Sequence, residues 1–154
     1  MCLSCLIGQN EIVPPGGIIY LDNECFVNHV FDVDVLGYLI VSPVRHVENV
    51  SELTTKELTK IITLIKVLDF SIKKITKVKK VYICSFGESN KHFHFHLVPR
   101  YEWMLNNKEI YTNNQLDGAK LFSFIRNKYK CNEAEVCSKV SVVVNDIKKS
   151  LMNF

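Results

Sequence analysis

Apolar positions along the chain change their spacing several times, and each change marks a different element. After Thr54-Thr55-Lys56-Glu57, the residues Leu58, Ile61, Ile62, Ile65, Leu68 and Ile72 recur at helical spacing. Thr54 as N-cap and Glu57 three residues on have the form of a capping box. A long amphipathic helix is therefore predicted from residue 55 to about residue 75. Upstream, residues 18–21 and 24–30 read as two short strands joined at Asp22-Asn23, a good hairpin turn. Residues 36–41 form a third strand, apolar enough to be covered on both faces, and Ser42-Pro43 ends it. Residues 81–86 are a fourth. Gly87-Glu88-Ser89-Asn90 is then a polar turn, and strict alternation follows in His92-Phe93-His94-Phe95-His96-Leu97-Val98. A turn this short makes the fifth strand an antiparallel neighbour of the fourth. Pro14-Pro15-Gly16-Gly17, Asn106-Asn107 and Asn113-Asn114 read as turns or loops. A short helix is expected from residue 117 to about 129. A last one, capped around Asn132-Glu133-Ala134-Glu135, would carry Val136, Val140, Val143, Ile147 and Leu151 on one face. Val140 and Val142–Val144 are β-branched and weaken its helical propensity.

A length of 154 residues suits one domain with a real core, and 47% apolar and 23% charged residues are ordinary for a globular protein. The net charge of +3 argues against a dedicated nucleic-acid binder and leaves room for anionic small ligands. Met1-Cys2-Leu3-Ser4-Cys5-Leu6-Ile7 does not resemble a signal peptide, and no apolar run reaches membrane length, so a cytoplasmic protein is expected. Lys73, Lys74, Lys77, Lys79 and Lys80 cluster at the end of the long helix. Cations there favour the helix dipole and keep the surface solvated; a phosphate-attracting patch is the alternative.

The chemistry concentrates in two places. Six cysteines in a chain of this size fit reduced thiols, some binding metal, better than a disulfide scaffold. Cys2-Leu3-Ser4-Cys5 has the spacing for two thiolates on one zinc, which wants four ligands; two incidental thiols would read the same way. The histidine stretch holds three of the five histidines at alternate positions. On a strand they share one face, repeating every ~6.5–7 Å, with Phe93, Phe95 and Leu97 on the buried face. Three readings stand side by side: solvated strand residues, a metal site, or a nucleophile with helpers. A row spanning roughly 13–14 Å cannot close on a single ion with bonds of ~2.0–2.1 Å, so at most two share a metal. In the nucleophile reading His94 attacks phosphorus, and its neighbours orient it and donate to phosphate oxygens and the leaving group.

His92-Phe93-His94-Phe95-His96-Leu97-Val98 resembles the histidine triad motif, His-φ-His-φ-His-φ-φ with φ apolar, and Pro99-Arg100 after it is common in that family. Residues 37–47, Gly37-Tyr38-Leu39-Ile40-Val41-Ser42-Pro43-Val44-Arg45-His46-Val47, are similar to the family's strand running into a basic-His pair. The likeness covers residues 2–100, roughly two-thirds of the chain. It implies an α+β fold, an antiparallel sheet of about five strands with helices packed on it. It implies a catalytic domain over residues 1–112, with 113–154 as a helical extension packed on it. The resemblance further implies hydrolysis or transfer of nucleoside monophosphate groups at an α-phosphorus, with His94 as nucleophile. His96 would contact phosphate and leaving group, and Ser89 would hydrogen-bond near the leaving group. A nucleotide is the expected partner, with no nucleic acid or membrane; a homodimer accords with the family's habit. The zinc-containing members imply one structural zinc on Cys2, Cys5, His46 and His92. His96, where the related uridylyltransferases have Gln, favours hydrolysis over transfer; a zinc-stabilised binding protein without catalysis is the reading from another class. Two departures stand out: the family's Gly-His pair is Gly37-Tyr38 here, and its Gly-Gln is Gly87-Glu88. The family's ribose-contacting acid falls on Val30, with His29 and Asp32 nearby.

Overall fold

The structure is a computed structural model that describes residues 2–152, without the side chains of residues 133–139. The order of elements is α1 (Leu3–Gly8), β1 (Tyr20–Leu21), β2 (Cys25–His29), β3 (Leu39–Pro43), α2 (Thr55–Thr76), β4 (Lys80–Cys84) and β5 (Phe95–Arg100). A small hairpin follows, β6 (Tyr111–Thr112) with β7 (Gln115–Leu116), then α3 (Gly118–Lys128) and α4 (Glu133–Leu151). The main sheet has five antiparallel strands in the order β1-β2-β3-β5-β4. The chain thus has the expected α+β architecture.

Successive strand residues face opposite sides, so neighbours Leu97 and Val98 report on two separate cores. Leu97, Leu39, Val41 and Val27 pack against Ile61, Leu64, Leu68 and Ile72 of α2 and Val140, Val144 and Ile147 of α4. Each such buried aliphatic side chain contributes about 1.5–3 kcal/mol of transfer free energy. Val98 and Tyr38 pack instead with Leu121 and Ile125 of α3. Helix α2 starts at its predicted cap: Thr54 Oγ1 accepts from the Glu57 amide at 3.2 Å, and the Glu57 carboxylate accepts from the Thr54 amide at 2.7 Å. Arg45 donates to both Glu57 oxygens, at 3.0 and 2.8 Å, and with the cap holds that carboxyl down at about 2. Val136, expected on the core face of α4, has its side chain outside the described residues.

Several strand boundaries differ from the sequence pattern: the first strand starts at Tyr20, the third runs through Pro43 and the fourth spans Lys80–Cys84, and two further differences have a backbone reason. The third strand begins at Leu39 rather than residue 36, because Tyr38 N–H turns back to the Val35 carbonyl at 3.1 Å. Gly37 completes that turn with a φ of +78° that side-chain-bearing residues seldom adopt. The fifth strand begins at Phe95, leaving His92 and His94 ahead of the ladder. Pro43 would face this segment if the ladder continued, and it has no N–H to give. Its carbonyl goes to the His92 ring, while Phe93 N–H goes to the Val47 carbonyl at 2.7 Å.

Candidate functional site

That early departure from the ladder replaces the expected even row of imidazoles with two groups. The first surrounds His92, which is fully buried. Its Nε2–H donates to the Pro43 carbonyl at 2.9 Å, so the bare Nδ1 faces the N-terminal thiols. Cys2 and Cys5 sit one turn apart at the start of α1, a six-residue helix that the sequence pattern did not announce. From His92 Nδ1 the two Sγ atoms lie 3.5 and 3.6 Å away, and Cys5 Sγ lies 3.3 Å from His46 Nδ1. All four donor atoms fall within 4.8 Å of one another. Tetrahedral bonds of about 2.3 Å to sulfur and 2.0–2.1 Å to nitrogen would separate S from N by about 3.6 Å. The cluster can therefore hold a metal ion in a closed Cys₂His₂ shell. Asn90 Nδ2 donates to Ser4 Oγ at 2.9 Å, tying α1 to the 87–90 turn beside it.

The second group is His94 with His96. His94 Nδ1 lies 2.7 Å from the main-chain carbonyl of His92. A carbonyl only accepts, so the proton is on Nδ1 and Nε2 carries a lone pair. The same residue that serves the thiols with its ring thus sets the His94 tautomer with its backbone. The Nε2 atoms of His94 and His96 are 3.0 Å apart, and His96 Nδ1 is 2.8 Å from the Tyr38 hydroxyl. Both histidines keep a sliver of exposure, 8% and 9%. Burial first, with the Arg126 guanidinium nearby, pushes His96 down to about 3, so its ring is neutral near pH 7.

Both groups border one cleft of about 890 Å³. Its floor is a register row on one face of the sheet: Asn28 opposite Ile40, and Ile40 opposite His96. Asn28 Nδ2 donates to the His29 carbonyl at 2.7 Å, whereas its buried Oδ1 has no partner among the described residues. Ser89 and Glu88 stand on the wall formed by the 87–90 turn, and Val30 and Asp32 on the opposite side. From α3 come Phe122, edge-on to His96 at 5.1 Å between ring centres, and Arg126, which binds Asp32 through contacts of 2.8 and 3.2 Å. His29 is withdrawn: its ring sits between the Val30 and Val35 carbonyls, at 2.9 and 3.1 Å. Asn28, Tyr38, Phe122 and Arg126 were missed as site residues in the sequence. Asn28 left a signal, an amide inside an apolar strand, and Tyr38 shares its parity with Ile40. Nothing in the sequence marks Arg126.

The HIT domain matches residues 12–103, more than half of the chain. The chain belongs to the HIT family. An uncharacterized HIT-like protein of Methanocaldococcus jannaschii is 28% identical over 112 residues, which cover 66% of this chain and 81% of that protein. A hypothetical histidine triad nucleotide-binding protein of Sulfolobus tokodaii superposes with a TM-score of 0.68 at 21% identity, over 99% of this chain and 93% of the other. A zinc-bound histidine triad family protein of Mycobacterium smegmatis gives 0.62 at 14% identity, over 97% and 96%. At these identities the two structures share the fold. Among the described residues, no helix is long and apolar enough to cross a membrane.

Proposed function

We propose that this HIT protein hydrolyses a nucleotide derivative at its α-phosphorus through a covalent nucleotidyl-His94 intermediate. The observation that carries this reading is the His94 ring: its Nδ1–H is fixed by the His92 carbonyl at 2.7 Å, and its bare Nε2 lies on the cleft. In the first step Nε2 bonds to phosphorus as the bond to the leaving atom breaks, the electron pair staying on that atom. His96 donates a hydrogen bond to the phosphate and leaving atom, and Ser89 adds a second donor from the 87–90 turn. A phosphate departs as the anion; an amine takes its proton from water. Water then attacks phosphorus, the P–N bond breaks, and the nucleoside monophosphate is released.

Asn28 Oδ1 supplies what the sequence did not locate, an acceptor for a ribose hydroxyl. It is unpartnered, on the cleft floor, two strands from His96, or about 9–10 Å. Candidate substrates are dinucleoside polyphosphates, nucleoside phosphoramidates and adenylated adducts. Asp32 is balanced by Arg126, whereas Glu88 puts negative charge at the cleft wall, which favours the less highly charged members of that set. One structural zinc on Cys2, Cys5, His46 and His92 would fasten α1 to the catalytic segment. Free thiols at Cys2 and Cys5 fit a reducing compartment such as the cytoplasm.

The test is mass spectrometry of protein quenched during turnover of an adenylated phosphoramidate. Expected is a nucleotidyl adduct mapped to His94, absent in His94→Ala, whose turnover is abolished while its thermal unfolding is retained. Nucleotide binding with no adduct and full activity in His94→Ala would overturn the mechanism.

A further inference from the structure

The position that departs from the family's Gly-His pair is occupied by a side chain with a defined task. Tyr38 is fully buried, and among the described residues its hydroxyl is hydrogen-bonded to one titratable ring, that of His96, at 2.8 Å. The protons of this group follow from one fixed end. The His92 carbonyl takes the His94 Nδ1–H, so His94 Nε2 has a lone pair directed at His96 Nε2, 3.0 Å away. Two lone pairs would repel at that distance, so His96 must carry its proton on Nε2. Its Nδ1 is then bare and requires a donor. The other group acting on the Tyr38 hydroxyl is the Arg126 guanidinium, held by Asp32. A guanidinium cannot accept, which leaves the hydroxyl proton a single direction, toward His96.

We propose that Tyr38 is the positioning residue that locks His96 as the Nε2–H tautomer, its hydroxyl proton given to the bare His96 Nδ1. The ring that meets the leaving group is thereby a standing hydrogen-bond donor. This assignment rests on the catalytic reading above for its kinetic consequence, and on hydrogen bonding alone for the tautomer itself. Substrate displaces His94 from His96 by drawing His94 Nε2 to phosphorus, and the His96 proton turns to the leaving atom. The worse the leaving group, the more negative charge that atom carries in the transition state, and the more the donor matters.

Long-range ¹H–¹⁵N correlation spectra of the zinc-loaded protein read the His96 tautomer without any substrate. Nε2–H is expected in the native protein, and a mixture of tautomers in Tyr38→Phe. In kinetics Tyr38→Phe should lower kcat about 10–100-fold for an alkylamine phosphoramidate with KM within about threefold, and less than threefold for a nitrophenyl ester. Tyr38→His, which restores a donor, should recover most of the loss. An Nδ1–H tautomer in the native protein would overturn the proposal, and so would an unchanged tautomer or an equal loss for both leaving groups. Should Tyr38→Phe fail to fold, the native tautomer still decides. Failure of the catalytic reading shows separately, as native protein that forms no His94 adduct yet displays the Nε2–H signal.

Discussion

The ring and the backbone of His92 face different neighbours, and each explains a different part of the site. The ring completes the thiol cluster, while the carbonyl, 2.7 Å from His94 Nδ1, sets the His94 tautomer. The alternating histidines marked the site in the sequence but left three readings open, and it was the family resemblance, not the spacing, that favoured phosphoryl chemistry. That His92 meets Cys2, Cys5 and His46 was legible only through the family resemblance, since its ring is held by the Pro43 carbonyl, far away in the chain. Asn28 belongs to this scale as well. Its orphan acceptor is a buried polar group waiting for a donor, and such groups cost about 1–3 kcal/mol when unpaired. Asn28→Ala should therefore raise KM for a ribonucleotide substrate about 5–50-fold and leave kcat within about threefold. It should also discriminate less between ribo- and deoxyribo-substrates, as competition kinetics would record.

Among the elements, α2 was readable almost to the residue because its signal is local: a cap, a period and an end. Removing the cap with Thr54→Ala should cost about 1 kcal/mol, measured by urea unfolding, with kcat unchanged because no cleft residue moves. The role of α3 was hidden for the opposite reason. Its residues reach the site only after the sheet has formed, and Phe122 and Arg126 share a face whose partners, His96 and Asp32, lie tens of residues upstream. The Asp32–Arg126 pair is partly exposed on both sides, so its coupling in a double-mutant cycle should stay under about 1 kcal/mol. Its effect should appear in kinetics first.

For the whole molecule, two dependencies follow from what is buried. Zinc that binds only the folded protein stabilises it, so a chelator should lower Tm by about 5–10 °C, and Cys2→Ser should lower metal content well below one per chain. Metal analysis and calorimetry check both. Acid releases zinc as well, so its direct effect on the protein is read in chelator-treated samples. His96 falls from 6.5 to about 3 on folding, and Glu57 from 4.5 to about 2. In each case the unfolded chain binds the proton first. Their stabilisation is present above the unfolded values and is lost as pH drops toward the folded ones. Tm should fall between pH 7 and 3, with His96→Gln flattening the upper part of the curve and Glu57→Gln the part below pH 4.5.

The row from Asn28 through Ile40 to His96 is fixed by the ladder, at about 4.8 Å per strand. The distance between the proposed sugar acceptor Asn28 and His96 is then a property of main-chain hydrogen bonding. It works as a ruler that core substitutions cannot stretch. Mutations in the apolar layers can erode stability for a long time before they blur which molecules fit. A single residue inserted between Tyr38 and Ile40 would do the reverse. It would turn one mark of the ruler toward the helices, and a folded sheet would lose the measure of its substrate.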